Sequence, residues 1–151
     1  MIKVICVGKI KEKYFNDALK EYLKRISKFT NIDIIELSDE GMSDIKVVMK
    51  KEKEKILKQL DTKSYVILLD REGIELSSIS FAKKIESCLT YHSNITFVIG
   101  GSYGVDDEIK RVANEIISFS KMTFPHQLFR ILLLEQVYRS YKIINNESYH
   151  K

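Results

Sequence analysis

The sequence predicts an α/β fold with a mostly parallel sheet flanked by helices. Short β-branched or aliphatic runs occupy residues 2–7, 32–37, 65–69, 95–99 and 117–119, and longer segments of helical periodicity separate them. The runs are apolar at consecutive positions, which is typical of strands buried on both faces. Ligands of such sheets bind beyond the carboxyl ends of the strands, so those ends are where we expect a functional site.

Length and composition predict a single domain over residues 1–151. The chain has 44% hydrophobic residues, one proline and six glycines, and no linker or repeat divides it. A chain of this length buries about two thirds of the surface that it exposes when unfolded. We therefore expect one compact globular core rather than a disordered chain.

The charge balance favours a nucleic-acid partner only weakly. The formal net charge is +4, from 25 basic and 21 acidic residues. A one-sided basic segment near the N-terminus could contact phosphates, although exposed lysines at this density are common. It comprises Lys9, Lys11, Lys13, Lys20, Lys24, Arg25 and Lys28.

Cysteines, histidines and hydropathy argue against several classes of protein. Cys6 falls in a predicted strand and Cys88 on the apolar side of a predicted helix, so we expect both to be buried thiols. His92, His126 and His150 are far apart and lack zinc-site spacings, so we expect no metal. Neither a signal peptide nor a membrane-spanning run is visible, which predicts a cytoplasmic protein without membrane contact.

The first helix has the clearest apolar pattern, and we expect its aromatic residues in the core. Later helices are expected near residues 44–60, 80–91, 106–115 and 125–143. The apolar positions of the first helix are Tyr14, Phe15, Ala18, Leu19, Tyr22, Leu23, Ile26 and Phe29.

A glycine-rich turn follows the strand at 95–99. Its glycines are Gly100, Gly101 and Gly104, and Asp106 and Asp107 come next. The spacing matches neither the P-loop nor the dinucleotide fingerprint. Two aspartates at a helix start repel anions, which favours a neutral or cationic ligand. A tight turn without a ligand is the alternative.

A charged segment, Asp70 to Glu72, follows the strand at 65–69. Acid–base chemistry is one interpretation, but the favoured one is a charged turn before Gly73. Leu69, at the end of that strand, is expected to flank the same crevice as the glycine turn.

The C-terminal third carries a second candidate site. Pro125 suits the first turn of a helix, which places His126 at the helix N-terminus, where a neutral imidazole is favoured. Arg139 follows Glu135 at a favourable helical spacing. A helix with a surface ion pair explains the same residues without any chemistry.

These motifs, taken together, resemble the RlmH family, SPOUT-class methyltransferases that act at N3 of a pseudouridine in 23S rRNA. The resemblance spans nearly the whole chain. It rests on residues 4–9, on Val98 to Ser102 with Gly104, on residues 118–127, on Glu135 to Arg139, and on Tyr149 to Lys151.

The resemblance implies a C-terminal trefoil knot, which is exceptional among protein folds, and S-adenosyl-L-methionine as methyl donor. The cofactor-binding residues it implies are Leu69, Gly100, Gly101, Phe119, Ser120, Lys121, Met122, Thr123 and Phe124. It further implies a homodimer with a shared substrate site, acting on 23S rRNA in assembled ribosomes.

Catalytic candidates follow from the same resemblance and from the chemistry of the imide. Removing the N3 proton needs one base and close alignment, and no metal. His126 is the candidate for base or substrate orientation, and Arg139 for stabilising the anion or holding phosphate. Tyr149 and His150 would close over the target. Two alternatives stay open: a knotted methyltransferase with another RNA target such as tRNA, and a non-catalytic ribosome-binding factor.

Overall fold

The structure is a computed structural model, and it describes residues 1–41 and 44–151. Five strands alternate with five helices along the chain. Their order is β1 (Ile2–Val7), α1 (Lys13–Ile26), β2 (Ile32–Leu37), α2 (Ile45–Gln59), β3 (Tyr65–Glu75), α3 (Ser78–Tyr91), β4 (Ile95–Ile99), α4 (Asp107–Val112), β5 (Glu115–Ser118) and α5 (His126–Ile144).

The strands form one parallel sheet in the order β2-β1-β4-β3-β5. Ile2 is in register with Ile32 on one side and with Ile95 on the other, so three strands begin at the same edge. Their carboxyl ends therefore meet at the opposite edge. The predicted parallel α/β sheet flanked by helices is confirmed.

Helices cover both faces of the sheet. Successive side chains of a strand point to opposite faces, so alternate residues of one strand pack against different helices. From β1, Val4 and Cys6 join the core cluster that includes α1, α3 and α5, while Ile5 and Val7 join the cluster with α2 and α4. Helix α5 packs against both α1 and α3. Cys88 lies in the first of these clusters, and both thiols are buried and free, as predicted.

Most element boundaries agree with those predicted from the sequence, and the exceptions arise where the chain pairs with β3. Strands β1, β2 and β4 have the predicted limits, whereas β3 continues to Glu75 instead of ending at 69. Strand β5 begins at Glu115 instead of 117, and α4 ends at Val112 instead of 115. Asn114 explains both shifts: its amide Oδ1 accepts the N–H of Val66 at 2.7 Å, and its own N–H bonds to Val66 O. Because the chain already pairs with β3 at Asn114, α4 ends before this residue and β5 begins directly after it.

The prediction that Tyr14 of α1 lies in the core is wrong. Tyr14 lies in the first turn of α1 and is 65% exposed, and its ring centre is 4.6 Å from that of Phe15. Further along the helix, Leu19, Tyr22 and Leu23 pack against the core as expected.

Candidate active site

A cavity of about 500 Å³ lies at the carboxyl ends of β4 and β5 and beside the middle of β3, where the pairing of β3 with β4 ends. We call it the strand-end cavity. It is where a parallel sheet is expected to bind ligands. Its walls include Leu69 to Glu72, Ile99 to Val105, Ser118 to Ser120, Met122 to Phe124, His126 and Phe129, with Met49, Asp107 and Lys110 at the rim.

The glycine turn forms one wall, and close packing requires its first glycine. A Cβ at Gly100 would lie 2.6 Å from Val105 Cγ1 and 2.9 Å from the carbonyl oxygen of Gly104. Gly104 itself has a φ of +79°, in the left-handed region. The turn is closed by the N–H of Gly104, which donates to Gly101 O at 3.0 Å. Both Gly100 and Gly101 line the cavity, as does Leu69.

The charged segment after Leu69 lines the cavity as well, which the charged-turn interpretation missed. Pairing of β3 with β5 shifts between Leu69 and Ile74, so Asp70 to Glu72 leave the ladder and face the cavity. Gly73 allows the strand to resume, because a Cβ there would lie 2.7 Å from the backbone of β5. The available signal was the position of this segment directly after a buried strand.

The segment from Phe119 to Phe124 forms the opposite wall. Ser118 Oγ donates to Ser120 O at 2.9 Å, and Ser120 Oγ accepts the N–H of Met122 at 3.0 Å. Arg71 Nη1 donates to Thr123 Oγ1 at 3.1 Å and joins the two walls. Phe119, Ser120, Met122, Thr123 and Phe124 line the cavity, whereas the predicted Lys121 is not among its lining residues.

His126 is the first residue of α5 and lies at the cavity wall, with Pro125 as the preceding cap residue. Burial lowers the pKa of its imidazole below 6.5, and the nearby positive charge of Arg130 lowers it further, while Asp39 opposes this shift. The neutral, proton-accepting form is therefore favoured at neutral pH.

Arg130, one turn further along α5, is buried and anchors the first loop. Its Nη1 donates to Glu36 Oε2 at 2.8 Å and its Nη2 to Gly8 O at 3.1 Å. Glu36 Oε2 also accepts the N–H of Ile10 at 2.8 Å, and Gln127 Oε1 accepts the N–H of Lys11 at 3.0 Å. The β1–α1 loop is thereby fixed beside His126.

The other predicted catalytic residues meet near the far end of α5. Arg139, Tyr149 and His150 surround Glu135, and we call these four residues the C-terminal cluster. Arg139 Nη2 donates to Glu135 Oε1 at 2.6 Å, and Tyr149 Oη donates to the same oxygen at 3.1 Å. Arg139 Nη1 lies 3.2 Å from His150 Nδ1. The predicted ion pair is confirmed.

One chain does not bring the two groups of candidates together. His126 begins α5, and the helical rise of 1.5 Å per residue places the backbone of Arg139 about 20 Å further along the helix. Tyr149 and His150 are held beside Arg139 and so lie at that distant end. The strand-end cavity and the C-terminal cluster are therefore separate within one chain.

A family model described as "Predicted SPOUT methyltransferase" matches residues 1–150. The chain belongs to the SPOUT methyltransferase family. The match includes every element that lines the cavity, together with all four residues of the C-terminal cluster.

Relatives of this SPOUT protein are similar over their full length. A ribosomal RNA large subunit methyltransferase H from Caldicellulosiruptor saccharolyticus is 51% identical over 154 residues and covers 100% of both chains. A putative ribosomal RNA large subunit methyltransferase H from Methanococcus maripaludis is 52% identical, with 99% of each chain covered. A ribosomal RNA large subunit methyltransferase H from Ruminiclostridium cellulolyticum is 48% identical, with 99% of each chain covered.

Solved structures confirm the SPOUT fold at low sequence identity. A probable methylase family protein from Haemophilus influenzae superposes with a TM-score of 0.60 at 13% identity, over 99% of this chain and 70% of that one. The tRNA (m1G37) methyltransferase from Aquifex aeolicus gives 0.53 at 13% identity, over 91% and 69%. These likenesses concern the fold alone. The trefoil knot is consistent with the family and stays a prediction.

Two further findings concern metals and membranes. Within residues 1–41 and 44–151, no three His, Cys, Asp or Glu side chains are grouped so that they could hold a metal ion. In the same part of the chain, no helix is both long and apolar enough to cross a membrane.

Proposed function

We propose that this protein is an S-adenosyl-L-methionine-dependent methyltransferase that modifies N3 of a pseudouridine in 23S rRNA, acting on assembled ribosomes in the cytoplasm. The observation that carries the proposal is the full-length identity of about half to ribosomal RNA large subunit methyltransferases H. The cavity at the carboxyl ends of the strands supports it. In this proposal residues 1–151 act as one domain.

The chemistry of the strand-end cavity suits S-adenosylmethionine. Its volume of about 500 Å³ is in the usual range for small-molecule sites. Phe119, Phe124 and Phe129 offer apolar surface for an adenosyl group, and the carboxylates of Asp70 and Asp107 suit a positively charged sulfonium.

The residues that would hold the cofactor come from three segments. Leu69 lies within β3, where its pairing with β4 ends, Gly100 and Gly101 follow β4, and the segment 119–124 follows β5. Lys121 belongs to that segment and would act through its backbone. When bound, S-adenosylmethionine supplies an electrophilic methyl group. Binding it, orienting the base and accepting the imide proton fall to this chain's residues.

His126 is the proposed proton acceptor for the N3–H of the target base. Its imidazole lies at the wall of the cavity, and burial together with Arg130 favours its neutral form. A base whose pKa lies near or below the working pH is unprotonated and ready to accept. The proton would pass from N3 to the imidazole as the nitrogen becomes nucleophilic.

The separation of the two candidate groups supports a homodimer with shared sites. Arg139, Tyr149 and His150 lie about 20 Å along α5 from His126, which is too far to act on one base within one chain. In a twofold dimer, the cluster of one subunit can face the cavity of the other. Each site would then combine His126 of one subunit with Arg139, Tyr149 and His150 of its partner.

A methyl-transfer assay with several acceptors tests the proposal. Purified protein and labelled S-adenosylmethionine are incubated with ribosomes lacking the modification, with free 23S rRNA and with tRNA. The proposal predicts incorporation into the 23S rRNA of ribosomes. Incorporation into tRNA alone would assign a different substrate, and measured cofactor binding without transfer to any acceptor would contradict the activity. Absence of cofactor binding would favour a non-catalytic ribosome-binding protein.

A further inference from the structure

We propose that Glu135 is a positioning residue that fixes His150, through Arg139, as the tautomer with hydrogen on Nε2. His150 then serves as a hydrogen-bond donor to a carbonyl oxygen of the target base. The role of the donor rests on the proposed function, whereas the tautomer itself does not.

Glu135 is the centre of the C-terminal cluster. Its Oε1 accepts hydrogen bonds from Arg139 Nε at 3.1 Å, from Arg139 Nη2 at 2.6 Å and from Tyr149 Oη at 3.1 Å. Its Oε2 accepts from Gln136 Nε2 at 3.0 Å. The Glu135 side chain is only 16% exposed. A carboxylate with this many donors in a partly buried site holds its partners in one geometry.

Arg139 is directed by these contacts toward the chain end. Two of its nitrogens face Glu135, and its guanidinium carbon lies 4.7 Å from the centre of the Tyr149 ring. The Tyr149 ring in turn packs edge-on against Tyr138, with 4.9 Å between ring centres. The remaining nitrogen, Nη1, lies 3.2 Å from His150 Nδ1. The orientation of Arg139 is therefore fixed before it meets the imidazole.

The contact between Arg139 and His150 determines the tautomer. A guanidinium has donors and no acceptor, so Nη1 donates and His150 Nδ1 accepts. A neutral imidazole whose Nδ1 carries the lone pair has its hydrogen on Nε2. His150 is exposed, so this Nε2–H is accessible to a ligand. In this state neither nitrogen of His150 is available to accept a proton from the substrate.

This assignment separates the roles of the two histidines. A pyrimidine imide has carbonyl oxygens on both sides of its N–H, and these oxygens gain negative charge when the proton leaves. A donor aimed at such an oxygen stabilises the transition state. His150 provides that donor, and His126 is left as the proton acceptor. Arg139, already neutralised by Glu135, acts mainly by orienting His150.

Nitrogen-15 NMR of the imidazoles tests the tautomer on the whole protein without cofactor or RNA. The His150 signals are assigned by their loss in His150→Gln. We expect the wild type to show the Nε2–H tautomer alone. Glu135→Gln and Arg139→Gln should each give an averaged mixture of both tautomers. Glu147→Gln, which breaks the Lys142–Glu147 pair on the same tail, is the matched control and should resemble the wild type.

The outcomes are distinct. A tautomer mixture or an Nδ1–H tautomer in the wild type would overturn the proposal. So would a spectrum of Glu135→Gln or Arg139→Gln that keeps the wild-type tautomer.

Kinetics test the donor role. His150→Ala should lower kcat roughly 100-fold, the loss expected when one donor to a developing negative charge is removed. His150→Gln, whose amide N–H can replace Nε2–H, should recover most of this loss, with an unchanged Kd for S-adenosylmethionine. Equal kcat values for the two variants would contradict the donor role. If the wild type itself transfers no methyl group, the proposed function fails, while the tautomer result stands independently.

Discussion

Arg130 Nη1 lies 2.8 Å from Glu36 Oε2, and this contact joins α5 to β2 across 94 positions of sequence. The guanidinium is buried, and its Nη2 bonds to Gly8 O in the first loop. His126 lies one turn before Arg130, so the same cation that ties the helix to the sheet disfavours a second positive charge at the cavity wall. Structural anchoring and the protonation state of His126 are thus linked.

The lowered pKa of His126 predicts a pH dependence of stability. The unfolded chain binds the proton near pH 6.5, above the pH at which folded His126 does, because burial and Arg130 oppose protonation and Asp39 offsets this only partly. The free energy of unfolding should therefore fall as the pH drops below about 6.5, and this contribution should be constant above it.

Urea denaturation of the wild type and His126→Gln between pH 5 and pH 8 checks this dependence. The difference in unfolding free energy between the two proteins should move against the wild type on acidification. If the unfolding free energies of the two proteins changed in parallel over the whole pH range, the pKa of His126 would not be lowered in the folded protein.

Breaking the ion pair between buried Arg130 and exposed Glu36 should destabilise the fold. Glu36→Gln leaves the Arg130 guanidinium, which is 1% exposed, without its anionic partner. We expect a loss of about 1–3 kcal/mol, because the buried guanidinium loses a hydrogen-bond acceptor. Arg130→Met with Glu36→Gln removes both charges and should cost less than the sum of the single changes, with a coupling of about 1–3 kcal/mol. Strictly additive losses in denaturant titrations would mean that the two charges do not interact.

Replacing Gly100 should damage the strand-end cavity. In Gly100→Ala the new methyl group would lie 2.6 Å from Val105 Cγ1, so the turn must shift. We expect a destabilisation of about 1–3 kcal/mol, typical of overpacking, and weaker binding of S-adenosylmethionine. Calorimetric titration measures the binding. Adding Val105→Ala removes one clashing atom and should recover part of the affinity, whereas wild-type affinity in Gly100→Ala would separate the turn from the cofactor site.

Mixing inactive subunits tests the shared site. His126→Ala and Arg139→Ala should each be poorly active, because each lacks one half of both sites. After unfolding together and refolding in equal amounts, half of the dimers are mixed and one of their two sites is intact. About a quarter of wild-type activity should return. If activity stays at the level of the single variants, His126 and Arg139 do not act in opposite subunits.

Most of the strands and helices could be predicted from the sequence, because the residues that begin and end them are neighbours along the chain. The apolar runs of β1, β2 and β4 end where turn residues begin, and Pro125 marks the start of α5. The extension of β3 beyond Leu69 is not predictable from the sequence, because it depends on a shifted pairing with β5 and on Gly73 approaching that strand. For the same reason the sequence alone favours a turn for the charged segment at 70–72, although this segment lines the cavity.

Some residues of the candidate site likewise have a local signal in the sequence, and others depend on tertiary packing. Leu69 could be chosen because it ends a predicted strand, Gly100 because it follows one and His126 because it begins a helix, and the structure brings the three to one cavity. The contact of Arg130 with Glu36 depends on tertiary packing and has no local signal. The distance between His126 and Arg139 follows from the helix itself, whereas its functional interpretation rests on the proposed homodimer.

Mapping the methyl group acquired by ribosomes is the most direct test of the central claim. Ribosomes lacking the modification are incubated with the protein and S-adenosylmethionine, and the 23S rRNA is digested and examined by mass spectrometry. The account predicts one added methyl group, on N3 of a pseudouridine, with the His126→Ala variant as a control that gives little product. A methyl group on any other base or atom, or no product despite measured cofactor binding, would contradict it.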